Sequence, residues 1–245
     1  MTTPASTSSP PPLRGNACGP AEPVPRCVWR LPAVVAVFVL LSACGNTPPV
    51  PDWQMNARAG AERAASAWLE GNAKVEAVEF ARARGEVART GRPDLLARLE
   101  LMRCAARVAS LDIGPCAGFE ALAGDAAPPE QAYARYLAGR SQAADAALLP
   151  EVHRPLAGGS ATPDAALAAI EDPLSRLVAA GALFQRTQAT PGVIALAVDS
   201  ASAQGWRRPL LAWLQVQRAR AQAAGATDEV ARIQRRIDLV TPPPK

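Results

Sequence analysis

The chain has 245 residues, a hydrophobic share of 49% and a formal charge of +4. That is enough chain and enough apolar surface for one folded domain of ordinary size. The small net charge argues against nucleic acid as a partner. A single histidine leaves little basis for zinc clusters or triads built on histidine.

Residues 1–25 are rich in Pro, Ser and Thr and lack apolar periodicity. Such a stretch buries too little surface to fold. It reads as a disordered extension, or as sequence upstream of a true start at Val24 or Val28. Arg26 and Arg30 then lead into Leu31–Leu41, an uninterrupted apolar run. A helix crossing the hydrocarbon needs about 20 apolar residues, and this run is about half that, the length of a signal-peptide core. Ser42 and Ala43 are small and precede Cys44.

The order Leu41-Ser42-Ala43-Cys44 resembles the lipobox of bacterial lipoproteins. The resemblance implies a signal peptide over 26–43, cleavage before Cys44, and acylation of that cysteine. The membrane is then a partner through the lipid anchor. Gly45, where Asp would retain such proteins in the inner membrane, implies the outer membrane, on its periplasmic side. Residues 44–51 form a short lipidated linker, and Gly45 to Pro51 reaches at most about 25 Å.

Losing residues 1–43 removes Arg14, Arg26, Arg30 and Glu22, so the formal charge falls to +2. Cys18 and Cys27 go with the leader, which leaves Cys104 and Cys116 beside the lipidated cysteine. An even pair in an oxidising compartment favours a disulfide over two free buried thiols. Cys116 follows the turn at Gly114-Pro115, so the returning chain can bring it back beside Cys104.

The helical domain is expected over 52–240, followed by a Pro-rich tail at 241–245. Trp53, Ala57, Ala61, Ala64 and Trp68 recur at steps of three and four. So do Leu95, Leu99, Met102, Ala106 and Ala109. Leu174, Leu177, Val178 and Gly181 make a further stripe, as do Leu210, Trp213, Leu214, Gln217 and Ala221. Val230, Ile233, Ile237 and Val240 close the series. Each pattern predicts an amphipathic helix.

Gly71-Asn72, Gly91-Arg92-Pro93-Asp94 and Gly114-Pro115 mark the first breaks. Pro128-Pro129, Thr162-Pro163, Asp172-Pro173 and Thr190-Pro191 read as helix starts, the last three with a capping residue before Pro. Val193–Val198 looks strand-like but does not alternate, and reads as buried helix. Residues 140–162 read as a long connection, with His153 as a solvated loop histidine. Glu171-Asp172 reads as a cap before Pro173 rather than an acid/base pair.

Ala67-Trp68-Leu69-Glu70-Gly71-Asn72, with Ala77, Phe80 and Ala83, resembles the middle of a tetratricopeptide repeat. Ala221–Gly225 with Ala231 and Ile233 is a weaker copy. In both, six residues separate Gly from Ala where the family usually has five. The fold class is therefore all-α, as antiparallel helical hairpins that are either tetratricopeptide-like or an irregular bundle.

No phosphate loop, G-x-S-x-G, H-E-x-x-H or paired-carboxylate motif occurs. The reading is accordingly non-catalytic, with no cofactor, no catalytic residue and no metal site. Trp206 and Trp213 stand seven apart, with Arg207 and Arg208 beside the first. Together they are the candidate partner-binding residues, for a periplasmic or envelope protein; packing within the core is the other use for the two tryptophans. Arg218, Arg220, Arg232, Arg235 and Arg236 extend a basic end. That end suggests an alternative role, binding peptidoglycan or anionic lipid.

Overall fold

The computed structural model describes residues 49–157 and 162–241. Cys44, the signal segment 26–43, the extension 1–25 and nearly all of the tail 241–245 lie outside the described residues. Every regular element described is helical. The long helices are α1 Asp52–Glu70, α2 Ala73–Ala88 and α3 Pro93–Ala109. The middle of the chain has α4 Ala117–Glu120, α5 Pro128–Leu137, α6 Arg154–Ala157 and α7 Pro163–Ala168. The last four are α8 Pro173–Gln185, α9 Pro191–Ala203, α10 Arg207–Ala223 and α11 Thr227–Val240.

The helix starts follow their punctuation. Proline opens α3, α5, α7, α8 and α9, where its missing N–H would have no intrahelical partner anyway. The Asp172 carboxylate accepts from Ser175 N and Thr190 Oγ1 from Val193 N, whereas Thr162, also expected to cap, makes no side-chain capping hydrogen bond. Gly71 ends α1 in the left-handed region at φ 91°, and Asn72 then caps α2 by accepting from Val75 N. The strand-like run 193–198 lies within α9, with Val193, Ile194, Ala197 and Val198 buried.

Helices α1 and α2 form a tight hairpin. A Cβ at Gly60 would sit 3.1 Å from the Ala83 Cβ, so the two backbones approach closely. Helix α3 is the hub, touching α1, α2, α4, α5 and α8. Helix α9 packs on α8 and α10, α11 packs on α10, and α10 returns to α1. The main core joins Leu101 and Val108 of α3, Leu177 and Val178 of α8, and Trp213 and Leu214 of α10. A smaller core of Ala57, Ala61, Ala64, Phe80, Ala83, Val87 and Leu99 fills the first hairpin.

The repeat frame departs from the tetratricopeptide-like expectation. Phe80, Ala83 and Ile233 are buried as that pattern requires, but Ala77 and Ala231 are exposed. The extra residue after each glycine turns those alanines by about 100°, out of the contact. One position earlier, Glu76 is buried and Val230 half-buried.

Three further expectations are corrected. Helix α3 ends at Ala109, before the Gly114-Pro115 break. Met102, expected on the core stripe, is 46% exposed, while Cys104, outside that stripe, is buried. A hub helix packed on several sides does not obey a one-stripe rule. Nor are the described residues of 140–162 mainly irregular: they hold 3-10 helices at Ala143–Leu148 and Glu151–His153 before α6. Buried Asp145 anchors the first by accepting from Arg135 Nε and from the Gln142 backbone N–H. Those donors hold its carboxyl below the usual aspartate range, the Arg135 hydrogen bond contributing most.

The ion-pair pattern was not visible in one dimension. Glu76, Glu79, Glu100 and Glu130 are all buried, and each receives an arginine from another helix: Arg103, Arg63, Arg84 and Arg98 respectively. Such pairs tie helix to helix with little net stability, but losing one partner leaves a charge desolvated.

Candidate functional site

A cleft of about 390 Å³ opens where α1, α2 and α3 meet the start of α8. Trp68, Phe80, Tyr133 and Trp206 provide its aromatic lining, and Ala65, Leu99, Met102 and Leu174 its aliphatic lining. Its volume lies at the small end of the range for ligand pockets. The exposed Met102, unexplained as part of a core stripe, belongs to this wall.

Trp68 is fixed from two sides of the sequence. Its carbonyl accepts from Arg208 Nε at 2.8 Å, across 140 residues. The Arg208 guanidinium lies 3.8 Å and that of Arg107 4.4 Å from an indole ring centroid, both within cation–π range. Trp68 is 7% exposed, and its buried Nε1 has no hydrogen-bond acceptor among the described residues. A buried donor without a partner costs about 1–3 kcal/mol, so it calls for an explanation.

The polar lining is already committed in part. Arg103 donates from Nε and Nη2 to the two oxygens of Glu76, at 2.6 and 3.1 Å. Its guanidinium also lies 4.3 Å from the Phe80 ring centroid. Glu62 pairs with Arg58, and Asp172 caps α8. The last agrees with the reading of Glu171-Asp172 as a cap.

The expected partner-binding residues do not make one exposed patch. Trp206 lines the cleft, half-buried. Trp213 is 0% exposed and packs edge-on against Phe184, with its Nε1 donating to Ala109 O at 3.1 Å. The seven-residue spacing misled because Trp206 precedes α10 in an extended conformation, so helical periodicity does not reach it. Arg208 is held on Trp68, and Arg207 lies against Gly71, where a Cβ would stand 3.1 Å from its Nη2. Trp68, Glu76 and Arg103 were missed as site residues. Trp68 sits in a regular apolar stripe, and nothing in one dimension marks an indole N–H as unpartnered.

His153 is also corrected: it is 2% exposed, not solvated. Its Nδ1 is 3.2 Å from the Tyr136 hydroxyl, and its ring lies among Tyr133 and Tyr136. Burial pushes its pKa down to about 4, against a smaller upward pull from Asp172. With the folded value below the unfolded one, the unfolded chain takes up the proton first as pH falls. Stability is therefore full above about pH 6.5 and declines toward pH 4. A loss of about 2 kcal/mol between pH 7 and pH 5 is expected from urea unfolding. His153→Gln should flatten that slope; an unchanged slope would refute the assignment.

Cys104 and Cys116 form a disulfide with Cα atoms 5.7 Å apart, joining the end of α3 to the segment that enters α4. It closes a short loop, for which chain entropy predicts about 3 kcal/mol or less. Denatured, unreduced protein isolated without reductant should show no free thiol from this pair; two titratable thiols would rule the bridge out. A more open hollow of about 730 Å³ lies beside it, lined in part by Phe119, Gln131 and Leu137.

Among the described residues no group of three or more His, Cys, Asp or Glu is placed to hold a metal ion. No described helix is long and apolar enough to cross a membrane. Comparison with known protein families, curated proteins and solved structures finds no match to this chain.

Proposed function

We propose that the chain is a lipid-anchored, non-catalytic interaction module of the bacterial cell envelope, held at the outer membrane and facing the periplasm. The observation that carries the reading is the ordered series Arg26, Arg30, Leu31–Leu41, Ser42, Ala43, Cys44. Positive charge, a short apolar run and small residues before a cysteine are what export and lipid attachment require. The Cys104–Cys116 bridge supports it independently, since disulfides persist in oxidising compartments. An all-helical body with a preformed cleft suits a binding role.

The test is metabolic labelling with an alkyne fatty acid. The wild-type chain should incorporate label, lose residues 1–43 and fractionate with the outer membrane. Cys44→Ser should remain unlabelled and uncleaved. Normal processing and labelling of that variant would sink the proposal.

The alternative, peptidoglycan or anionic lipid binding through the Arg-rich end, has less support. Several of those arginines are engaged within the fold: Arg208 with Trp68 O, Arg218 with Gln234, Arg220 with Ala189 O, and Arg232 with Glu229.

A further inference from the structure

We propose that the end of the first hairpin where the chain arrives from Cys44 is a membrane-docking surface, whose Val50, Trp53 and Met55 enter the interface of the bilayer holding the anchor. The inference rests on the anchored-module reading and deepens it by naming the face of the domain that meets lipid.

The first observation is apolar surface that no core claims. Val50 is 53% and Met55 51% exposed. The Met55 N–H donates to the Pro51 carbonyl, so Met55 stands one turn beyond exposed Pro51, the residue after Val50. Trp53, between them in the chain, is half-buried yet packs against neither hydrophobic core. The stripe from Trp53 to Trp68 thus joins the core only at Ala57. A partly exposed indole, with an apolar body and a polar N–H, suits the boundary between lipid and water.

The second observation is the tether. Val50 follows Cys44 by six residues, a span of at most about 20 Å. A tether that short gives an effective concentration on the order of millimolar. A patch too weak to hold free lipid is then occupied once the chain is attached. The tether also selects the occupant: bilayer lies within reach at all times, whereas a second copy has to arrive by diffusion.

The third is charge. Gly60 lies against Ala83 and Arg63 pairs with Glu79, so the hairpin is antiparallel and the end of α2 lies beside the start of α1. Arg58, Arg89 and Arg92 pair with Glu62, Glu86 and Asp94. Arg82 and Arg84, further along α2, pair with Glu79 and Glu100. Asp52 adds a negative charge. This end has no excess cation to seek anionic headgroups, so apolar insertion supplies the attraction.

The experiment is quenching of Trp53 by vesicles of phosphatidylcholine with brominated acyl chains. The full chain carries Cys44→Ser and a histidine tag inserted directly after residue 44. Nickel-chelating lipid then holds it on the vesicle through the same short tether, without acylation. A matching chain with Trp53→Phe gives the difference that isolates Trp53 from the other tryptophans. Bromolipid should quench the Trp53 emission by about half. Val50→Ser with Met55→Ser should weaken docking by about tenfold. Both positions are exposed, so the melting temperature should stay that of the parent. Adding phosphatidylglycerol should change the quenching by less than about twofold.

Trp53 emission untouched by bromolipid overturns the docking surface. Iodide quenching would then place Trp53 in water, and shielding from both quenchers would place it against protein, such as a second copy. Undiminished quenching in the Val50→Ser, Met55→Ser chain overturns the role of those side chains. A severalfold gain with phosphatidylglycerol overturns the apolar attraction. Acylation plays no part in this preparation. An unquenched Trp53 therefore counts against docking alone, and a wild-type chain without fatty-acid label counts against the anchor alone.

Discussion

Trp213→Ala is expected to destabilise the fold by about 4–5 kcal/mol, read as the shift in a urea unfolding midpoint at constant slope. Trp213 is fully buried at the centre of the main core, against α3 and α8. Truncation removes a large apolar surface and the edge-on contact with Phe184, whose centroid is 5.9 Å away. It also leaves the Ala109 carbonyl, which accepts from Trp213 Nε1, without that donor near the end of α3. Against a typical total of about 5–15 kcal/mol, such a loss brings the domain near the folding threshold. Trp213→Phe keeps most of the volume and should lose about half as much, separating packing from the hydrogen bond. A loss below about 1 kcal/mol for the alanine variant would contradict the burial.

Gly181→Val is expected to cost more than about 3 kcal/mol, beyond the usual range for an overpacked core. At this residue α8 crosses α3 so closely that an added Cβ would stand 2.4 Å from the Val108 carbonyl oxygen and 2.8 Å from its Cγ1. The obstruction includes backbone, which cannot rotate away as a side-chain tip can. Valine adds two methyl groups and restricts χ1 in the helix. Gly85 provides the control: it too is helical, yet a Cβ there meets nothing within 4 Å. Gly85→Ala should stabilise by about 0.5–1 kcal/mol through helix propensity and unfolded-state entropy. Thermal melts of the two variants should move in opposite directions, and movement together would refute the close crossing.

Both predictions concern contacts between helices, and those contacts are where one-dimensional reading failed. Periodicity marked Trp53 to Trp68 and Leu210 to Ala221 as helices because 3.6 residues per turn is a local property. Pro and Gly marked the boundaries for the same reason: their effects on φ and on the missing N–H act within one or two residues. Met102 was placed on the wrong side because α3 has neighbours on several faces, and a single stripe describes a helix with one buried face. His153 was read as solvated because its loop looks polar; the tyrosines that cover it come from α5 and owe nothing to the residues beside it in the chain. The Trp206–Trp213 pair failed where the helix began one residue later than the spacing assumed.

The all-helical class, the punctuation of the long helices and the pairing of Cys104 with Cys116 were legible in the amino-acid order, since each rests on spacing, capping or cysteine number. The lipobox resemblance of residues 41–44 is likewise a property of the sequence, and the proposal of an envelope anchor rests on it. The tertiary structure alone decided which face of α3 meets which neighbour, and that α10 returns to α1 so that Arg208 reaches Trp68. It alone placed four buried glutamates against arginines of other helices. The cleft exists because those elements converge, and the Trp68 indole N–H, without an acceptor among the described residues, is a consequence of burial among residues distant in the chain. Local propensity carries no information about such an encounter, because burial is decided by which surfaces meet.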